Sequence, residues 1–126
     1  MKQAVLSENA PKPIGPYSQG IKAGQFLFLS GQIPLNPVSG NIAEGGIKEQ
    51  AKQVMENIKN VLEAAGLSFQ HIVKTTIFLK NINDFSSVNE IYAAYFQTLP
   101  PARSTVQVAA LPKESLVEIE AVAYYP

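Results

Sequence analysis

The chain has 126 residues, ten basic and ten acidic side chains and a formal net charge of zero. This indicates one domain without the clustered excess of Lys and Arg that nucleic-acid and membrane binders carry. It contains no cysteine and a single histidine, which excludes disulfide scaffolds, thiol nucleophiles and His-rich metal sites. Only 16% of the residues are charged, against roughly 25% in an average soluble domain, and this favours a homo-oligomer that covers part of its surface.

The amino terminus leads from Met1 into polar residues and not into the apolar run of a signal peptide. No apolar stretch approaches the roughly 18 residues of a membrane span. From the sequence we therefore expect a soluble, cytoplasmic protein.

The first third of the chain predicts a loop, a hairpin and a second loop. Residues 9–18 contain three prolines and a glycine, which favours a loop. Residues 19–22 and 25–30 flank Ala23-Gly24 and predict a hairpin, whose second arm is apolar on both faces and is expected to be covered on both sides. Residues 32–46 are rich in Pro, Gly and Asn, and a loop of this length is typical of a functional segment.

The remaining residues predict two helices and three strands. Apolar residues recur at helical spacing from Ile47 to Ala65, and Gly66 supplies a stop. Residues 71–79 favour a strand, and Asp84 is a suitable cap for a second helix. The buried stripe of that helix is predicted to be Phe85, Val88, Ile91, Tyr92, Tyr95 and Phe96. Two strands, about residues 103–108 and 116–125, end the chain.

This order predicts a single α/β (α+β) domain over residues 1–126, with both helices packed on one face of one sheet. Side chains alternate between the faces of a strand, so the apolar residues at 117, 119, 121 and 123 should face the helices. Glu118 and Glu120 then lie on the opposite face. We expect Arg103 on that same uncovered face, where a second subunit would complete a cleft lined by a guanidinium and a carboxylate.

Arg103 is the only arginine, and its planar fork suits two-point recognition of a carboxylate or phosphate better than Lys does. One interpretation is a structural ion pair with Glu118 or Glu120, and the other is an anchor for a small anionic ligand. The two glutamates project about 6.5–7 Å apart, which is a weak signal for glycoside chemistry. His71, at the start of a strand, is predicted to be a surface or edge residue.

Several segments resemble those of the Rid (YjgF) family of reactive-intermediate imine deaminases, almost from end to end. They are IGPYSQG at 14–20, LSGQIP at 29–34, VNEIYAAYF at 88–96, PPARSTVQVAALP at 100–112 and VEIEA at 117–121. The resemblance implies a chorismate-mutase-like fold with a mixed sheet, a homotrimer with the sheets inward, and clefts between subunits. It also implies hydrolysis of 2-imino acids such as 2-iminopropanoate and 2-iminobutanoate to 2-keto acids and ammonia, with no cofactor and no metal.

The resemblance further assigns residues. Arg103 would bind the substrate carboxylate, and Glu120 would hold and deprotonate the attacking water. The backbone around Gly31 and Thr105 would donate hydrogen bonds to the ligand. The other substrate-binding positions are Tyr17, expected to reach across the subunit interface, Ser30 and Asn89. Many family members have Cys where this chain has Thr105, and the resemblance gives Glu118 no role beyond structure.

Two other functions stay open from the sequence. A ligand-sensing or chaperone-like interaction protein could use the same cleft without turnover. Relatives have also been discussed as RNA-directed translation inhibitors or ribonucleases, but zero net charge and scattered lysines do not favour phosphate binding. The expected partners are therefore a small-molecule 2-imino acid and further copies of the chain, with neither membrane nor nucleic acid.

Overall fold

The computed structural model describes all residues, 1–126, as one six-stranded sheet with two α-helices. The strands are β1 Gln3–Val5, β2 Gly20–Ala23, β3 Phe26–Gln32, β4 Ile72–Leu79, β5 Ala102–Gln107 and β6 Val117–Tyr124. The helices are α1 Ile47–Ala64 and α2 Phe85–Ala93, and three short 3-10 turns lie at Phe69–His71, Ile82–Asp84 and Pro112–Glu114.

The strand order across the sheet is β1-β2-β3-β6-β4-β5. Every neighbouring pair is antiparallel except β4 and β5, which are parallel and are connected through α2, as a parallel pair requires a crossover. The predicted mixed sheet with two helices is confirmed, and the short strand β1 is an addition that the sequence did not predict. Neither helix has the length and apolarity of a membrane-spanning segment.

Helix α1 forms where the 3.6-residue apolar spacing predicted it. Its buried face includes Val54, Ile58 and Leu62, which pack on the sheet. The helix begins after Gly46, whose N–H donates to Glu49 Oε1 at 2.8 Å, and it ends before Gly66, which adopts φ 76°. A positive φ at this point favours glycine and ends the helix.

Helix α2 is shorter than its predicted stripe, and its start differs in detail. The side chain of Asp84 makes no capping hydrogen bond, whereas Asn81 accepts from the N–H of Asn83 at 2.9 Å and caps the preceding 3-10 turn. Phe85, predicted to be buried, is instead 36% exposed, and its ring centroid lies 5.4 Å from Cζ of Arg103. The first residue of α2 therefore lies beside Arg103 and not in the core.

The core lies between the helices and one face of the sheet, and the other face is open in the single chain. Along β3, Leu27 and Leu29 are buried, but Phe26 and Phe28 expose 46% and 48% of their surface. The expectation that both sides of this strand are covered is thus wrong for the isolated chain. Tyr124 extends the exposed patch on β6, and exposed aromatic patches of this kind are typical of interaction surfaces.

Candidate functional site

The pairing of β5 with β4 places Arg103 on the helix-covered face of the sheet. Arg103 lies opposite Thr75, and Thr75 in turn lies opposite Ala121, which is buried under the helices. Cross-strand partners point to the same face, so the expectation that Arg103 shares the open face with Glu118 and Glu120 is wrong. The polar strand β5 has no apolar face of its own, and its parallel register with β4 sets the direction of each side chain.

The guanidinium of Arg103 is held by neutral groups and not by a carboxylate. Its Nη1 donates to Asn89 Oδ1 at 2.8 Å, and its Cζ lies 5.0 Å from the ring centroid of Tyr92 and 5.4 Å from that of Phe85. The only ion pair within 4.0 Å in the chain joins Lys48 and Glu90 at the surface. The structural ion pair with Glu118 or Glu120 is therefore absent, and the positive charge is free to meet an anion.

A cleft of about 520 Å³ opens beside this arginine, between α2 and the Pro-Pro segment that precedes β5. Asn89 and Tyr92 line the cleft from α2, while Pro100 and Pro101 form the other wall. The structure thus brings together two of the residues expected in the site, Arg103 and Asn89.

A second group forms on the other side of the sheet, around a cavity of about 380 Å³. Tyr17, from the proline-rich loop, and Gly31, at the end of β3, line it together with Glu118 of β6. Lys12 and Lys113 also line this cavity. Two expected binding residues, Tyr17 and Gly31, therefore share a cavity with the carboxylate of Glu118.

Gly31 is required here because Glu118 lies directly against it. A Cβ on Gly31 would lie 2.9 Å from Cδ of Glu118, and closer still to Oε2. The pairing of β3 with β6 shifts between Leu29 and Gln32, and this irregularity brings the glycine to the carboxyl. A glycine at the end of an apolar strand is the sequence signal that could have indicated this close approach.

The carboxyl of Glu118 is suited to proton transfer. Burial raises its pKa above the usual glutamate value, and the negative charge of Glu120 raises it further. A carboxyl whose pKa is raised toward the working pH exchanges protons more readily than an ordinary glutamate. Glu118, for which the sequence predicts only a structural role, is thus a further functional candidate.

Glu120 lies apart from both groups of residues. It is exposed on the open face opposite Thr76, in a smaller groove of about 190 Å³ that Phe28 and Lys74 also line. Glu120 does not line the cavity that holds Tyr17 and Gly31. Its negative charge contributes to the raised pKa of Glu118.

The hydroxyl of Ser30 forms a hydrogen bond within the fold, whereas the hydroxyl of Thr105 has no partner. The hydroxyl of Ser30 donates to the carbonyl of Ser18 at 2.5 Å, and its N–H donates to the carbonyl of Gln19 at 2.9 Å, which fixes the end of the loop that carries Tyr17. Thr105 lies two residues from Arg103 on the same face, and its Oγ1 is buried without a hydrogen-bond partner.

His71 and the acidic residues provide no further centre. The Nδ1 of His71 accepts from the N–H of Ser68 at 3.0 Å, and its ring packs edge-on against Tyr124 at 5.8 Å, so it closes a turn at the start of β4. No group of three or more His, Asp or Glu side chains is close enough to hold a metal ion.

Comparison with known proteins gives matches over nearly the whole chain. The profile of the family described as Endoribonuclease L-PSP matches residues 7–125. A RutC family protein of Pyrococcus horikoshii is 58% identical over 124 residues, covering 98% of this chain and 98% of that protein. The 2-iminobutanoate/2-iminopropanoate deaminase of Homo sapiens is 49% identical over 123 residues, covering 98% of this chain and 90% of that protein.

A solved structure agrees with the fold as well as with the sequence. The crystal structure of E. coli TdcF with bound serine matches with a TM-score of 0.94 and 43% identity, and the match covers 98% of this chain and 99% of that chain.

Proposed function

This chain belongs to the Endoribonuclease L-PSP (YjgF/Rid) family, and on that premise we propose that it is a 2-imino acid deaminase of the cytoplasm. The reaction is hydrolysis of compounds such as 2-iminopropanoate and 2-iminobutanoate to the 2-keto acid and ammonia. The human relative named for this activity is 49% identical, and the TdcF structure holds serine, a small amino acid that also has a carboxylate. The observation that carries the proposal is a lone arginine without an acidic partner.

The proposal requires two copies of the chain for each site. Arg103 lies on the helix-covered face at the edge strand β5, and Glu118 lies on the open face, so one chain does not bring them together. The open face exposes Phe26, Phe28 and Tyr124, which a neighbouring subunit would cover. In the expected homotrimer, Arg103 of one subunit faces Tyr17, Gly31 and Glu118 of the next.

In such a site Arg103 binds the substrate carboxylate with two charge-assisted hydrogen bonds. One N–H of the guanidinium is already used by Asn89, and four of its five donors are left for the ligand and its surroundings. The carboxylate is thereby fixed, and the imine carbon is directed at the opposite wall of the cleft, where orientation alone lowers the barrier.

Glu118 acts on the water. Its carboxylate accepts a proton from the water as the water oxygen bonds to the imine carbon, and it passes that proton to the imine nitrogen as the C=N bond becomes single. The carboxylate then accepts the hydroxyl proton of the tetrahedral intermediate and delivers it to the amino nitrogen as the C=O bond forms and the C–N bond breaks, which releases ammonia and leaves the 2-keto acid. A carboxyl with a raised pKa suits this alternating role of base and acid. We therefore assign to Glu118 the role that the family resemblance had placed on Glu120.

The remaining assignments follow from position. Tyr17 and the backbone at Gly31 line the cavity beside Glu118, and Thr105 offers a buried hydroxyl beside Arg103. Ser30 supports the loop that carries Tyr17 and is given no direct contact. No step of this reaction calls on a cofactor or a metal.

The test uses a serine or threonine dehydratase as the source of imine and measures the rate of ammonia release on addition of the protein. We expect acceleration by the wild type and loss of acceleration for Arg103→Ala and Glu118→Gln. Glu120→Gln, the same substitution two residues along the same strand, is the matched control and should retain activity. Absence of acceleration by the wild type would overturn the deaminase, and loss with Glu120→Gln alone would return the role to Glu120.

The alternative functions make different demands on the same protein. A ligand-sensing or chaperone-like protein would bind a 2-keto acid through Arg103 and show no turnover. The name of the matching family mentions RNA cleavage, but the net charge of zero and the single arginine offer little phosphate neutralisation. Salt-sensitive RNA binding that is lost on Lys-to-Glu substitution would favour that alternative.

A further inference from the structure

Arg103 is the only arginine of the chain, and the way it is held differs from an ordinary surface cation. A flexible guanidinium in water explores many rotamers, and that freedom is lost when it binds a ligand. Here Asn89 Oδ1 fixes one N–H at 2.8 Å, and two aromatic rings lie within cation–π distance. None of these groups carries a negative charge, so they restrict the guanidinium without neutralising it.

Tyr92 is the better fixed of the two rings. It is 6% exposed, it packs against Phe96 at 4.6 Å, and its hydroxyl is hydrogen-bonded to that of Thr75 at 2.7 Å. Thr75 is the cross-strand partner of Arg103, so the bond ties the ring to the position on β4 directly beside Arg103. Burial raises the pKa of Tyr92, and the phenol stays neutral beside the cation at physiological pH.

We propose that Tyr92, locked by Thr75, is a positioning residue that pre-orients the guanidinium of Arg103 for two-point binding of a carboxylate. The assignment rests on the proposed function for its substrate, because a carboxylate-bearing imine is what the oriented fork would receive. Phe85 closes the other side of the guanidinium as a more exposed second ring. Pre-orientation lowers the ordering cost of binding and adds nothing specific to the transition state.

The lone arginine makes the proposal directly measurable by NMR. The chain has a single Arg Nε–Hε group, so its ¹⁵N signal needs no assignment, and its order parameter reports how firmly the guanidinium is held. In the wild type we expect a value in the range of rigid groups, about 0.85, and in Tyr92→Leu a fall below about 0.6. Tyr92→Phe keeps the ring and loses the bond to Thr75, and should lie between these values.

Binding and turnover supply the second readout. For Tyr92→Leu we expect the Kd for 2-oxobutanoate, the probe ligand, and the KM for the imine to rise about tenfold, with kcat changed less than about threefold. This is the pattern of a lost ground-state contribution, and general misfolding would lower kcat as well. Tyr95→Phe is the matched control, because Tyr95 lies one turn further on and bonds to Glu56 at 2.7 Å; it should match the wild type.

The outcomes separate the positioning role from the deaminase itself. An order parameter unchanged by Tyr92→Leu, or already low in the wild type, would overturn the proposal whatever the enzyme assay shows. If the wild type binds 2-oxobutanoate but hydrolyses no imine, the proposed function fails, and the order parameter and Kd still decide the role of Tyr92. If Tyr92→Leu does not fold, Tyr92→Phe, which keeps the ring and loses only the bond to Thr75, should still lower the order parameter, and an unchanged value would contradict the proposal.

Discussion

Replacing Gly31 with alanine tests whether the position of Glu118 matters for activity separately from stability. The glycines with positive φ are Gly15, Gly24, Gly40, Gly45 and Gly66, so Gly31 has a backbone conformation that alanine adopts without strain. The new Cβ would lie 2.9 Å from Cδ of Glu118, and ordinary van der Waals contact begins at 3.4 Å. The carboxyl must therefore retreat by at least 0.5 Å, and its nearer oxygen by more.

The displaced atoms are the end of a flexible side chain, and this sets the expected magnitudes. An off-rotamer glutamate costs about 0.5–1.5 kcal/mol, and the reduced freedom of the unfolded chain offsets about 0.4–1 kcal/mol of it. The free energy of unfolding should therefore change by no more than about 1 kcal/mol. A misplacement of about 1 Å in a positioned group, however, can lower a rate about 100-fold.

The assay compares kcat/KM for imine hydrolysis with the urea unfolding midpoint of the same preparation. We expect Gly31→Ala to lose about 100-fold in kcat/KM with little change in the midpoint. Gly46→Ala is the control, because its Cβ would have no neighbour nearer than 3.9 Å and Gly46 lines neither the cleft beside Arg103 nor the cavity beside Glu118. Wild-type kcat/KM in a folded Gly31→Ala protein would refute the assignment of Glu118.

Three further predictions concern stability and are read from urea unfolding. Ile58→Ala empties a fully buried position of α1 and should cost about 2–5 kcal/mol, whereas Ile82→Ala, at a 43% exposed position, should cost less than about 1 kcal/mol; equal losses would contradict the assigned core. Glu118→Gln should have a higher free energy of unfolding than the wild type at neutral pH, because the raised pKa of Glu118 means that its ionisation destabilises the folded state as the pH rises through that pKa. The two free energies of unfolding should become equal below about pH 4.3, where the carboxyl is protonated in both states. A variant that is less stable than the wild type at neutral pH would contradict this prediction. Thr105→Val removes a buried hydroxyl without a partner and should raise the free energy of unfolding by about 1 kcal/mol. A lower free energy of unfolding would contradict the absence of a hydrogen bond at this hydroxyl.

Local patterns in the sequence predicted the helices and most of the sheet. Helix α1 follows from the spacing of its apolar residues and from Gly66, because both signals act within one element. The alternation along β6 correctly separated the core face from the face with Glu118 and Glu120. Strand β1, by contrast, is three residues long and largely exposed, and only its pairing with β2 defines it, so no local pattern marks it.

The arrangement of the site depends on the register between distant segments, which no local pattern records. Arg103 lies on a strand with polar residues on both faces, and only its pairing with Thr75 decides that it faces α2. The choice between Glu118 and Glu120 depends on where β3 deviates from regular pairing, because that point brings Gly31 beside one of two otherwise equivalent carboxylates. The family resemblance indicated the correct family and fold, but the sequence could not indicate which side chains meet.

The most direct test of the account is complementation between two inactive variants. Arg103→Ala and Glu118→Gln are unfolded together in equal amounts, refolded and assayed for imine hydrolysis. If each site takes Arg103 from one subunit and Glu118 from the next, a site is intact when both neighbours supply the native residue, so about one quarter of wild-type activity should return, the product of two halves. Activity no higher than that of the separate variants, in a mixture shown to contain mixed oligomers, would contradict a site shared between subunits.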